Sequence, residues 1–294
     1  MLWRGRRGSS NIEDRRGMSP GGRMRIPGGR PMRVGGGIGG LLLLLALAFF
    51  GINPSFLTQG PGPGAGLQPA PQQQQGRTQA DDEMGQFVSV VLAETETTWQ
   101  AVFSEAGQRY EEPRLVLFSG SVSSACGLAD SAVGPFYCPS DRKIYLDTAF
   151  FREMKSRFGA SGDFAAAYVI AHEVGHHVQN ILGVAPQVED LQRRVGRADA
   201  NRLSVMMELQ ADCLAGVWTR RTEASRPMLE AGDIDEALNA AHAIGDDRLQ
   251  RRTQGYVVPD SFTHGTSEQR ARWFRRGLET GDLNACDTFN AERL

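Results

Sequence analysis

The chain has 294 residues, enough for one sizeable domain plus extensions. Its formal charge of −2 hides a segregation: residues 1–36 carry nine arginines and two acids, a net of +7, which leaves −9 on residues 37–294. Aromatics are nearly absent from this basic head, Trp3 excepted, and no phosphate-cradling loop or nucleic-acid module occurs, so nucleic acid is excluded as a partner.

An apolar run follows the head. Residues 34–52 hold no charge, and their length is near the lower limit for spanning a bilayer. A cleaved signal peptide is usually 15–30 residues in all, and the head alone exceeds that. The run therefore predicts an uncleaved transmembrane anchor. By the positive-inside rule, residues 1–33 form a cytoplasmic head and everything after residue 52 lies outside. This is a single-pass protein of the cytoplasmic (inner) membrane, with its main domain on the periplasmic or extracellular side. Residues 53–80, rich in Pro, Gly and Gln, cannot bury a core and read as a linker. Residues 81–294 are the domain.

Within it, residues 81–106 predict a helix with Phe87, Val90, Val91, Trp99, Val102 and Phe103 as its apolar set. Residues 114–118 read as a buried strand and 143–146 as a second, followed by a helix over 148–157. Either 143–146 or the stretch 133–137 is a candidate edge for pairing with extended substrate. Further helices are expected at 165–182, 188–197, 202–224, 233–245 and 267–280. The fold class is α+β, mostly helical, with a small β-sheet or hairpin. Four cysteines outside the cytoplasm predict two disulfides; of three connectivities, Cys126–Cys138 and Cys213–Cys286 are preferred.

The helix over 165–182 carries His172-Glu173-Val174-Gly175-His176, an H-E-x-x-H motif in a chain with only five histidines. Residues four apart share a helix face, so the two imidazoles can grip one metal ion, with Glu173 beside it as general base. Ala167, Ile170, Val174, Val178 and Ile181 form the buried stripe, and Gly183 the stop. The extended motif with a third histidine is excluded, because Gln179 and Leu182 occupy its positions. His177 is expected to point away from the metal, as a supporting or solvated histidine.

Downstream, Glu208 and Asp212 share a helix face. Glu208 is the candidate third ligand, and Asp212 would accept the free ring N–H of one ligating histidine. Ala211, Ala215 and Gly216 would let this helix approach the motif helix closely. His264 is a candidate oxyanion stabiliser, with Tyr145, Arg270 or no side chain at all as the alternatives. His242 is assigned no role.

Residues 172–177 and 208–218, together with 261–265 and 272–277, resemble the bacterial family named Putative neutral zinc metallopeptidase, as do 3–7 and 13–16. The likeness covers nearly the whole chain. It implies a zincin-type fold with Zn2+ on His172, His176 and Glu208, and Glu173 as base. The expected function is hydrolysis of a protein or peptide substrate by zinc-activated water. Two rivals are a zinc-stabilised, non-proteolytic binding or regulatory protein of the cell envelope, and a zinc amidase acting on cell-wall peptides.

Overall fold

The computed structural model describes residues 1–17, 79–130, 134–158 and 162–294. In chain order the elements are β1 (Ile12–Asp14), α1 (Gln79–Glu105), β2 (Arg114–Phe118), β3 (Ser121–Ser124), β4 (Gly127–Asp130), β5 (Phe136–Cys138) and β6 (Lys143–Asp147). Then come α2 (Thr148–Phe158), α3 (Asp163–Ile181), α4 (Val184–Gln192), α5 (Arg197–Ser225), α6 (Asp233–Ala243), α7 (Asp246–Gln254) and α8 (Ser267–Thr280). The architecture is mostly helical α+β with small sheets, as the sequence predicts. The expected anchor at 34–52 and most of the linker lie outside the described residues. Among the described residues no helix is long and apolar enough to cross a membrane.

The larger sheet has the order β1-β2-β6-β5. Strand β2 lies parallel to both β1 and β6, and β5 antiparallel to β6. Alternation along β2 and β6 divides the apolar residues between two faces. Leu115, Leu117, Ile144 and Leu146 join the main helical core, whereas Val116, Phe118 and Tyr145 join a smaller cluster with Val122 and Ala129 of the β3–β4 hairpin. Residues 143–146 are therefore interior, flanked by β2 and β5. They are not an edge; the edge strands of this sheet are β1 and β5.

The separate head expected over 1–33 is corrected for residues 1–17. Strand β1 joins the sheet, with Ile12 opposite Leu115. Trp3 is buried edge-on against Phe87 of α1. Within residues 1–17, three of the arginines that suggested a cytoplasmic head bond to acids of this same unit: Arg6 to Glu94 at 3.2 Å, Arg4 to Glu83, and Arg16 to Asp14 at 2.7 Å.

Helix α3 is the core element. From Phe164 to Gly175 every residue is buried, so it lacks the single greasy stripe expected of a surface helix. Its small residues let α1, α5 and α6 pack around it. Gly175 is one such point, since a Cβ there would press on the backbone of Ala211 in α5. Gly216 serves a different crossing. It faces Phe274 and Gly277 of α8, not α3, and a Cβ on Gly277 would fall on the carbonyl oxygen of Cys213. Gly277→Ala should destabilise the fold by about 3 kcal/mol, read as a shifted urea midpoint. An unchanged midpoint would mean that the two backbones do not meet.

Helix α4 starts earlier and ends earlier than the predicted 188–197, because Pro186 is tolerated in a first helical turn and the chain breaks before Gly196. Helix α7 was not foreseen: its one apolar residue, Leu249, gives no periodicity. Both disulfides join the cysteines in the preferred pairs, and Cys213–Cys286 ties the carboxyl-terminal tail to α5.

Candidate metal centre and active-site cleft

Helices α3 and α5 cross with His172 and His176 facing Glu208. Nε2 of His172 lies 3.1 Å from Glu208 Oε2, and Nε2 of His176 lies 3.3 Å from Glu208 Oε1. The three donor atoms fall within 4.8 Å of one another. The i,i+4 spacing on α3 and one carboxylate from α5 are sufficient to bring them together.

Each imidazole is held from behind at its other nitrogen. His172 Nδ1 lies 2.8 Å from Asp212 Oδ1, and His176 Nδ1 lies 2.8 Å from Gln179 Oε1. An acceptor at each Nδ1 favours a proton there, which would free Nε2 to face an ion held between the imidazoles and Glu208. Gln179, the residue that rules out the extended motif, is itself anchored: its amide donates to Met207 O at 2.8 Å and Gln210 Oε1 at 2.9 Å. The sequence reading gave it no positive role, although a polar residue at i+3 from His176 was the available signal.

Asp212 is fully buried and surrounded by donors. Besides His172, Tyr168 Oη donates to Oδ1, and Arg270 reaches both oxygens, Nε to Oδ2 at 2.8 Å and Nη2 to Oδ1 at 3.0 Å. Burial favours a neutral carboxyl, but the Arg270 guanidinium and His172 outweigh it and hold the Asp212 pKa below its usual range. Arg270 is thus placed behind the ligands as the partner of Asp212.

The triad opens into a cleft of about 1090 Å³ that is also lined by Glu173, His264 and Arg270. Glu173 is buried, and burial raises its carboxyl pKa. His264 stands on the loop before α8. Asp246, the first residue of α7, accepts backbone N–H bonds from Thr263 and His264 at Oδ2, at 2.7 and 2.6 Å, and its Oδ1 lies 3.2 Å from His264 Nδ1. This hydrogen bond raises the imidazole pKa. Asp246 was missed by sequence reading, since nothing local links it to a histidine eighteen residues on.

The remaining candidates fall elsewhere. Tyr145 bonds Asp141 at 2.7 Å in the smaller core cluster and does not line the cleft. His177 is not solvated: it is fully buried, with Nε2 2.6 Å from Glu111 O and Nδ1 3.1 Å from Tyr137 Oη, and so links α3 to β5. His242 lies on α6, and its carbonyl accepts a bond from Ser267.

Two neutral imidazole nitrogens and one carboxylate make a borderline-soft donor set that suits zinc. The electrostatics agree. Without an ion, burial opposes positive charge on His172, yet Asp212 and Glu208 outweigh it and lift the pKa to about 10; a bound cation would supply that positive charge in place of the proton and leave the imidazole neutral. A second acidic group, Asp163, Asp233 and Glu236, is all oxygen, and the Met1 ammonium already bonds Asp163 at 2.8 Å and Asp233 at 3.3 Å.

The family described as Putative neutral zinc metallopeptidase matches residues 1–289. Uncharacterized protein YpfJ of Escherichia coli (strain K12) is 50% identical over 294 residues, spanning 98% of this chain and 99% of its own length. Uncharacterized protein Rv2575 of Mycobacterium tuberculosis (strain H37Rv) is 45% identical over 228 residues, spanning 74% and 75% respectively. No solved structure matches the chain. With nearly its whole length matched, the chain belongs to the putative neutral zinc metallopeptidase family.

Proposed function

We propose that the chain is a zinc-dependent peptidase of zincin type, attached to the membrane of the cell envelope, with its site on the external side. The observation that carries the reading is the convergence of His172, His176 and Glu208 in a cleft that also holds Glu173. The two disulfides support an oxidising, external compartment.

His172, His176 and Glu208 would hold the ion. Zinc bound there supplies Lewis acidity, lowering the pKa of a water toward about 7. Glu173 takes the water's proton and later gives it to the leaving amine. Burial raises its proton affinity, which favours a carboxylate that must take up a proton before passing it on. Asp212, backed by Arg270, fixes the orientation of His172, and Gln179 does the same for His176. His264, held at Nδ1 by Asp246, presents its other nitrogen as donor to the developing oxyanion. His264→Ala should lower kcat about 10²-fold while zinc content stays unchanged. An unaltered kcat would remove His264 from the reaction.

Incubating the full chain with casein and with peptidoglycan fragments, each with and without a chelator, tests the reading. Chelator-sensitive cleavage of casein is expected. Cleavage of the fragments alone would shift it to an amidase of cell-wall peptides. Zinc binding with no cleavage of either would favour a regulatory or binding role.

A further inference from the structure

The geometry points to a preference, resting on the peptidase reading, for a bulky apolar side chain next to the scissile bond. Phe136 of β5, Phe150 of α2, Val169 of α3, Ile244 after α6 and Leu249 of α7 all line the cleft. Four of them, Phe136, Phe150, Ile244 and Leu249, are only half-buried. Two stretches of the chain, 136–169 and 244–249, thus turn apolar groups toward the same space. Val169 sits four residues before Glu173, on the same helix face, so the apolar wall adjoins the proposed base directly. A side chain lodged against it belongs to a residue flanking the bond under attack. Burying such a group is favourable by about 25 cal/mol per Å² of apolar surface, whereas an unpaired charge there would be desolvated at a cost.

The test is a set of peptides differing at one position beside the cleavage site, Phe, Leu, Ala, Asp or Lys, incubated with the zinc-loaded full chain. Phe and Leu should exceed Asp and Lys in kcat/KM by about tenfold or more. Leu249→Asp should cut that ratio at unchanged zinc content. Chelator-sensitive cleavage with no apolar preference would overturn the specificity and leave the peptidase reading standing. Cleavage of no peptide would overturn both.

A separate observation concerns the membrane. We infer that residues 1–17 and 79–294 lie on one side of any membrane the chain meets, so the apolar run at 34–52 makes no net crossing. Residues 1–17 are woven into the domain. Arg15 N donates to Leu117 O at 2.7 Å, Leu115 N to Asn11 O at 2.9 Å, Ser9 N to Ser89 O at 2.9 Å and Leu2 N to Met228 O at 2.7 Å. Lys143 of β6 bonds Glu13 of β1 at 2.7 Å. A single crossing between residues 17 and 79 would separate these partners by about 30 Å of hydrocarbon. Two crossings need a second apolar stretch of about 20 residues, and residues 53–78 are rich in Pro, Gly and Gln instead. Of the head's arginines, Arg4 and Arg6 are bonded to acids of the domain, Glu83 and Glu94.

Ser10→Cys and Ser140→Cys, introduced singly into the full chain, place thiols on exposed positions of the two parts. All four native cysteines are in disulfides, so labelling reports the new thiol. A membrane-impermeant maleimide is applied to intact cells stripped of their outer barrier, and again after permeabilisation. Both positions should label alike, either both before permeabilisation or both only after it. Opposite behaviour of the two would overturn the inference, whatever the chain's activity.

Discussion

Glu173→Gln is expected to retain zinc and stability while losing about 10²–10⁴-fold in kcat, the range a positioned general base contributes. The substitution keeps the shape of the side chain and removes its capacity to take a proton. Glu173 is absent from the hydrogen bonds that hold His172, His176 and Glu208, so the ligand set should be undisturbed. Its buried position argues the same way. A carboxyl with a pKa raised by burial gains from becoming neutral, so the amide should not weaken the fold. Metal analysis and kcat on one preparation check both halves. Full activity in this variant would overturn the base assignment.

Arg270→Leu should have the largest effect on stability, about 3–5 kcal/mol, because it strips the guanidinium from an Asp212 that has no access to water. The same change should weaken zinc binding by about 10–100-fold, since Asp212 orients His172. Urea unfolding gives the first quantity and competition with a chromophoric chelator the second. Asp212→Asn, which keeps volume and some hydrogen bonding, should lose less stability. Loss of stability with undiminished zinc affinity would show that Arg270 supports the core and not the site.

The helical spacing of His172 and His176 made the motif legible in the sequence, because i,i+4 geometry is local. Glu208 and Asp212 were legible for the same reason, once a partner helix was sought. Arg270, Gln179 and Asp246 were not, since their roles depend on which helices cross. Arg270 lies 58 residues from Asp212 and meets it only because α8 packs on α5 through Gly216 and Gly277. The sheet was half legible. Leu115 to Phe118 form a run apolar enough to read as a buried strand, whereas Ile12–Asp14 is too short and too polar to signal one. The head misled for a definite reason. Over residues 1–17, Arg4 and Arg6 look like part of a membrane-flanking cluster along the chain, and their carboxylate partners Glu83 and Glu94 are far away in sequence.

Metal stoichiometry tests the central claim most directly. The full chain, purified without chelator, should carry about one zinc ion, and Glu208→Ala should lower its zinc affinity by orders of magnitude while the protein stays folded. Zinc bound as tightly by Glu208→Ala as by the parent chain, or no zinc bound by the parent at all, would contradict a site built from His172, His176 and Glu208.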